Sequence, residues 1–83
     1  MKKPILSLDE LKELGFAYLG KEPLDGGDFY RWWSLKKNDS EIQITYEFNA
    51  KYEFTSGYVE FNGETLKGRE LTTEDLKLLI DIM

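Results

Sequence analysis

Eighty-three residues are the length of a single domain, and 41 % hydrophobic with 33 % charged residues exclude a disordered or collagen-like chain. With no histidine and no cysteine, disulfides, zinc sites of the usual ligands and His- or Cys-based catalysis are excluded by composition. Eleven Lys plus Arg against sixteen Asp plus Glu give a formal charge of -5, so duplex nucleic acid is not an expected partner.

The chain opens Met1-Lys-Lys-Pro-Ile-Leu-Ser-Leu-Asp9, with the cationic start of a signal peptide but with Asp9 and Glu10 in place of an apolar core. No apolar run approaches the roughly 20 residues that span a bilayer, so a cytoplasmic location and no membrane partner are the expectations. Ser7 followed by Glu10 is the spacing of a helix capping box, and Leu6 with Leu11 that of a hydrophobic staple. Leu8, Leu11 and Leu14 form an i, i+3, i+6 stripe, and Gly15 supplies the stop. Two turns of helix are unstable alone, so this stripe must dock on something.

From Phe16 the hydrophobic period changes from 3.6 to 2. All twelve aromatic residues lie between Phe16 and Phe61, which places a sheet between two helices. Phe16–Lys21 reads as a first strand, ended by Pro23 and the turn Leu24-Asp25-Gly26-Gly27. Phe29–Lys37 reads as a second, turned by Lys37-Asn38-Asp39-Ser40. Glu41–Phe48 alternates most clearly, with Ile42, Ile44, Tyr46 and Phe48 on one face and Gln43, Thr45 and Glu47 on the other. Tyr52–Thr55 and Tyr58–Phe61 follow as separate strands broken at Ser56-Gly57. Asn62-Gly63 is a hairpin signal that returns the chain through Glu64–Lys67.

The grammar of the first helix returns at the other end. Thr72 caps, Asp75 stands at the capping-box position, and Leu71 can staple to Leu76. Leu76, Leu79, Ile80 and Met83 make one face, widened by Leu78 and Ile82. The sum is one α+β domain over residues 1–83, a two-layer sandwich. Its antiparallel β-meander of four to six strands is flanked by a short N-terminal helix and a C-terminal helix.

The second strand carries the candidate site. In Phe29-Tyr-Arg-Trp-Trp-Ser-Leu35, alternation sets Phe29, Trp33 and Leu35 against Tyr30, Trp32 and Ser34. If Phe29 and Trp33 enter the core, Tyr30, Trp32, Ser34 and Lys36 become a binding face on the open side of the sheet. The bland alternative is cross-strand packing of the same aromatics, or cover from Pro4-Ile5-Leu6. Arg31 falls on the inner face by the same parity. There it needs a partner such as Glu13, Glu22 or Asp81, or a place near the strand end, or a bulge that shifts the parity.

Other constellations read as structure. Asp25-Gly-Gly-Asp28 is a turn lacking the ligand count of a calcium loop. Glu41, Glu47, Glu53, Glu60 and Glu64 lie on strands that could bring them together across one sheet face, where a suitably spaced pair is the geometry of a glycosidase, but nothing marks a cleft, and no serine has a histidine base. No catalytic residue, metal ligand or cofactor is therefore expected, and the chain is not expected to be an enzyme.

Leu11-Lys-Glu-Leu-Gly-Phe16, Ile44-Thr-Tyr-Glu47, Val59-Glu-Phe-Asn-Gly63, Leu66-Lys-Gly-Arg69 and Asp75-Leu-Lys-Leu-Leu-Ile80 form one pattern. In it the chain resembles small uncharacterised proteins carried by bacterial prophages and other mobile elements. The resemblance implies a phage or mobile-element origin and no catalytic residue. The reading that follows is a non-catalytic protein–protein interaction module whose partner is another protein or a second copy, met through the aromatic face of Tyr30 and Trp32 or an exposed strand edge. Two alternatives accompany it: an acidic inhibitor that imitates phosphate charge toward a host nucleic-acid-binding protein, and single-stranded nucleic-acid binding by stacking on Tyr30 and Trp32 beside Lys36 and Lys37.

Overall fold

The computed structural model describes Pro4, residues 6–66 and residues 71–83. Of the segments read above, Met1-Lys-Lys, Ile5 and Lys67-Gly-Arg69 lie outside the described residues. Helix α1 (Leu8–Glu13) leads into strands β1 (Ala17–Pro23), β2 (Phe29–Lys37), β3 (Ser40–Phe48), β4 (Phe54–Phe61) and β5 (Glu64–Thr65), and helix α2 (Thr73–Ile82) closes the order. The strands form a single antiparallel meander, β1-β2-β3-β4-β5, so each pairs with its neighbour in sequence. The architecture is the α+β sandwich expected from the change of period.

Local chemistry accounts for the helix ends. In α1 the Ser7 hydroxyl accepts from the Glu10 N–H (3.1 Å), while the Ser7 N–H donates to the Glu10 carboxylate (3.0 Å). At the other end the Phe16 N–H reaches the Leu11 carbonyl and the Gly15 N–H the Lys12 carbonyl, the double closure of a Schellman motif. That closure needs the left-handed φ of +93° at Gly15. Thr72 and Asp75 make the equivalent capping box on α2. The last carbonyls of α2 are met from the β2–β3 hairpin, by Lys37 Nζ on Ile80 O (3.2 Å) and Asn38 Nδ2 on Met83 O (2.9 Å). With no basic residue in the last turn of α2, Lys37 brings the cation that the negative end of the helix dipole favours.

Both helices feed the same side of the sheet. Leu6, Leu11, Phe16 and Leu76 pack with Trp33, Ile42, Ile44, Tyr46 and Val59 in one core cluster. Leu6 takes the place expected of Leu8, which is 55 % exposed. Leu8 is the first helical residue and faces away, whereas Leu6, before the cap, folds back beside Leu11. Leu78 (63 % exposed) and Ile82 (75 %) likewise fail to widen the core face of α2, which is carried by Leu76, Leu79, Ile80 and Met83. A single helix over one small sheet has room for one stripe only.

Tyr46 ties the N-terminal segment to the sheet. Its hydroxyl accepts from the Leu6 N–H (3.0 Å) and donates to the Leu6 carbonyl (2.8 Å), satisfying both buried backbone groups ahead of α1. Burial pushes the phenol up to about 12, against the hydrogen bond to Leu6, with a further rise from the Glu10 charge.

Besides a start of β3 one residue earlier, at Ser40, and an end of β5 at Thr65, the strands differ from the sequence reading in two larger ways. The first lies one residue later at its start and reaches Pro23, with a bulge between Tyr18 and Gly20. The two short strands expected around Ser56-Gly57 are one continuous β4, because Gly57 is a close-approach residue. A Cβ there would meet Tyr46 Cδ1 at 2.9 Å and the Thr45 carbonyl at 3.2 Å. The two-residue turns behave as read. Asn38 and Asp39 (φ 50° and 68°) and Asn62 and Gly63 (φ 51° and 86°) hold the left-handed pairs that a tight hairpin needs.

Candidate binding face

The pairing register sorts the side chains of the sheet. Phe29, Trp33, Ile44 and Tyr46 belong to the helix-covered side, as do Ile42 and Val59. The opposite side is built from rows of paired residues. One row runs Gly20, Trp32, Thr45, Tyr58; the next runs Glu22, Tyr30, Glu47, Ser56. A third runs Ala17, Ser34, Gln43, Glu60, Thr65, and Lys36 pairs with Glu41 beyond it. The choice between Phe29/Trp33 and Tyr30/Trp32 is thereby decided: Tyr30 and Trp32 stand on the face without helices. The bulge lies in β1 and leaves the parity of β2 intact.

Leu6 does not cover these aromatics, since it is fully buried on the other side of the sheet against Tyr46. Tyr30 and Trp32 are half-buried, with ring centres 5.3 Å apart and planes tilted by 39°. The indole of Trp32 lies against β1 at Gly20, where a Cβ would come within 3.2 Å of the ring. Glycine at this position, with φ +155°, is what lets the indole rest on the strand backbone. Two strands away in the same row, Tyr58 is 41 % exposed, and Thr45 is buried between them. With strands ~4.8 Å apart, the Trp32 and Tyr58 positions are about 10 Å from each other.

Ser34 is buried and donates its hydroxyl to Glu41 Oε2 at 2.6 Å. It therefore holds a carboxylate in place and does not present surface. Ser56 does the same for Glu47 Oε2 at 3.0 Å. Lys36 is exposed opposite Glu41. Among the described residues, the face around the aromatics carries Glu22, Glu41, Glu47 and Glu60 against the single cation Lys36. Of the carboxylates singled out in the sequence, Glu41, Glu47 and Glu60 share this face. Glu53 sits in the turn after β3, and Glu64 pairs with Phe61 on the other parity. Tyr58 was not among the candidate residues, although the parity of Val59 and Phe61 points it outward.

Arg31 is half-buried on the helix side, near the end of β2. Among the described residues it has no ion pair, and its guanidinium stands 5.9 Å from the centre of the Phe29 ring and 5.8 Å from that of Phe48. Among the described residues, no cluster of three or more His, Cys, Asp or Glu side chains could hold a metal ion, and no helix is long and apolar enough to cross a membrane. No protein-family model, curated protein or solved structure matches the chain.

Proposed function

We propose that this chain is a non-catalytic protein–protein interaction module, an accessory protein of phage or mobile-element origin working in the cytoplasm. Its contact surface is the helix-free face of the sheet, with the aromatic side chains as anchors for another protein or a second copy. The observation that carries this reading is the placement of Tyr30, Trp32 and Tyr58 on that face within a ring of glutamates. Aromatic side chains are the usual anchors of protein interfaces, because they bury large area at low entropic cost.

The charge of the face chooses among partners. Four glutamates around the aromatics repel phosphates, which weighs against nucleic-acid stacking. Lys37, the second cation that reading needs, is engaged with α2 on the other side. The same four glutamates favour a second reading within the same class, an acidic inhibitor that occupies the nucleic-acid site of a basic host protein. Both readings use one face, and salt separates them, because a partner held by charge is released as ionic strength rises.

The test is capture from source-cell lysate, with wild type, Trp32→Ala and Leu78→Ala as parallel baits, each confirmed folded by circular dichroism. A partner retained by wild type and Leu78→Ala and lost by Trp32→Ala is the expected result. A partner held equally by all three would place the contact elsewhere and overturn the proposal. Release of that partner between low and moderate salt would favour the inhibitor reading.

A further inference from the structure

The opposite side of the sheet holds a pair of cations with no counter-charge among the described residues. Lys21 on β1 is directly across from Arg31 on β2. Like charges directly opposite on paired strands repel and destabilise the pairing. Both side chains lie against one ring, Lys21 Nζ 4.3 Å and the Arg31 guanidinium 5.9 Å from the centre of Phe29. Although the sequence has sixteen carboxylates, neither cation has one within ion-pair distance among the described residues. Glu22 faces the other side beside Tyr30, and the Glu53 carboxylate accepts from Asn49 Nδ2.

Arg31 adds an independent sign. Its Nε is buried and has no hydrogen-bond acceptor among the described residues. A buried donor on a charged group without an acceptor is costly and uncommon in a native protein. The rings beneath offer their π-faces to the cations but no acceptor for this N–H. They do form a wall: Phe29 stacks on Phe48 at 5.2 Å, and Tyr52, which is largely exposed, tilts against Phe29 at 4.9 Å. Tyr52 is set there by a turn in which Asn49 Oδ1 accepts from the Lys51 and Glu53 N–H groups, with Tyr52 itself at φ 66°.

We infer that Lys21 and Arg31 form a binding site for an oxyanion, a carboxylate or phosphate group, at the aromatic wall of Phe29, Phe48 and Tyr52. An oxyanion placed between the two cations meets the guanidinium through its terminal N–H groups, which unlike Nε are not buried, and turns the repulsion across the strands into a bridge. A guanidinium offers its donors in a planar fork suited to two oxygens of one such group, and the lysine adds a mobile point charge. This site is separate from the aromatic face described above and does not depend on its role.

The test is a titration of the 15N-labelled protein with sodium phosphate, with sodium acetate, and with sodium chloride at matched ionic strength. The side-chain Nε–Hε signal of Arg31 is the reporter, and that of Arg69, the other arginine of the sequence, is the internal control. The expected result is a saturable shift of Arg31 Nε–Hε together with the backbone amides of Lys21 and Tyr52. It should be absent with chloride and at Arg69, and Lys21→Gln should weaken it at least fivefold. Response to phosphate alone assigns a phosphoryl ligand, whereas response to acetate extends the site to carboxylates. Equal shifts with chloride, parallel movement of Arg69, or an unchanged response in Lys21→Gln would each overturn the inference.

Discussion

Tyr46 is the residue through which the sheet holds the N-terminal helix, and its two hydrogen bonds make separate demands. Tyr46→Phe keeps the ring but leaves the N–H and C=O of buried Leu6 without partners. The expected loss is about 1–3 kcal/mol, read from urea unfolding. The ionisation of the phenol gives a second readout. Its folded value, about 12, lies above the ordinary value of 10.0, so the native state resists losing this proton while the unfolded chain releases it more readily. The stabilising contribution is complete below pH ~10 and is lost as pH rises toward ~12, by about 1.4 kcal/mol for each pH unit crossed. The difference in stability between wild type and Tyr46→Phe should therefore shrink over that window. A constant difference through pH 12 would contradict the buried geometry. Gly20 makes a demand of another kind. Alanine there has an unfavourable φ and pushes a methyl to 3.2 Å from the Trp32 ring, so Gly20→Ala should move the indole off the strand and change its fluorescence.

At the scale of elements, short pieces are held by their ends. Helix α1 has six residues, too few to persist without tertiary contacts, so its capping box carries weight. Ser7→Ala should cost about 1 kcal/mol, with faster amide exchange confined first to α1. Both capping boxes, the Gly15 stop and the Asn62-Gly63 hairpin were legible in the sequence because each rests on side chains within a few residues. Gly57 was not legible, because its role depends on a neighbour across the sheet. Read locally, Ser56-Gly57 is a break; beside Tyr46 it is the one residue small enough to let β4 run on. Gly57→Ala is expected to destabilise by about 1–3 kcal/mol through overpacking against a ring that Leu6 holds in place. A near-neutral effect on thermal unfolding would show that Tyr46 can move. The exposure of Leu8 escaped a local reading for a similar reason, since only the docked chain shows that Leu6 fills the core position.

Across the whole molecule, one meander is covered by helices on one side and left to carry aromatics and glutamates on the other. Alternation in β2 and β3 made that division readable as far as Tyr30 and Trp32. The gathering of Glu41, Glu47 and Glu60 on one face was readable too, whereas the burial of Ser34 and the place of Tyr58 in the row of Trp32 were not, because they depend on which residues the register sets side by side. Arg31 shows the same limit, since it lies against rings and a facing lysine in place of Glu13, Glu22 or Asp81. If the helix-free face is the surface that meets a partner, the two tryptophans, adjacent in sequence and on opposite sides, allow that to be measured. The decisive experiment compares Trp33→Phe and Trp32→Phe, each reporting from a single indole, with and without the captured partner. Trp32 emission should shift to the blue and be shielded from acrylamide in the complex, while Trp33 emission stays unchanged. Quenching of Trp32 that is the same free and bound would contradict a contact through this face.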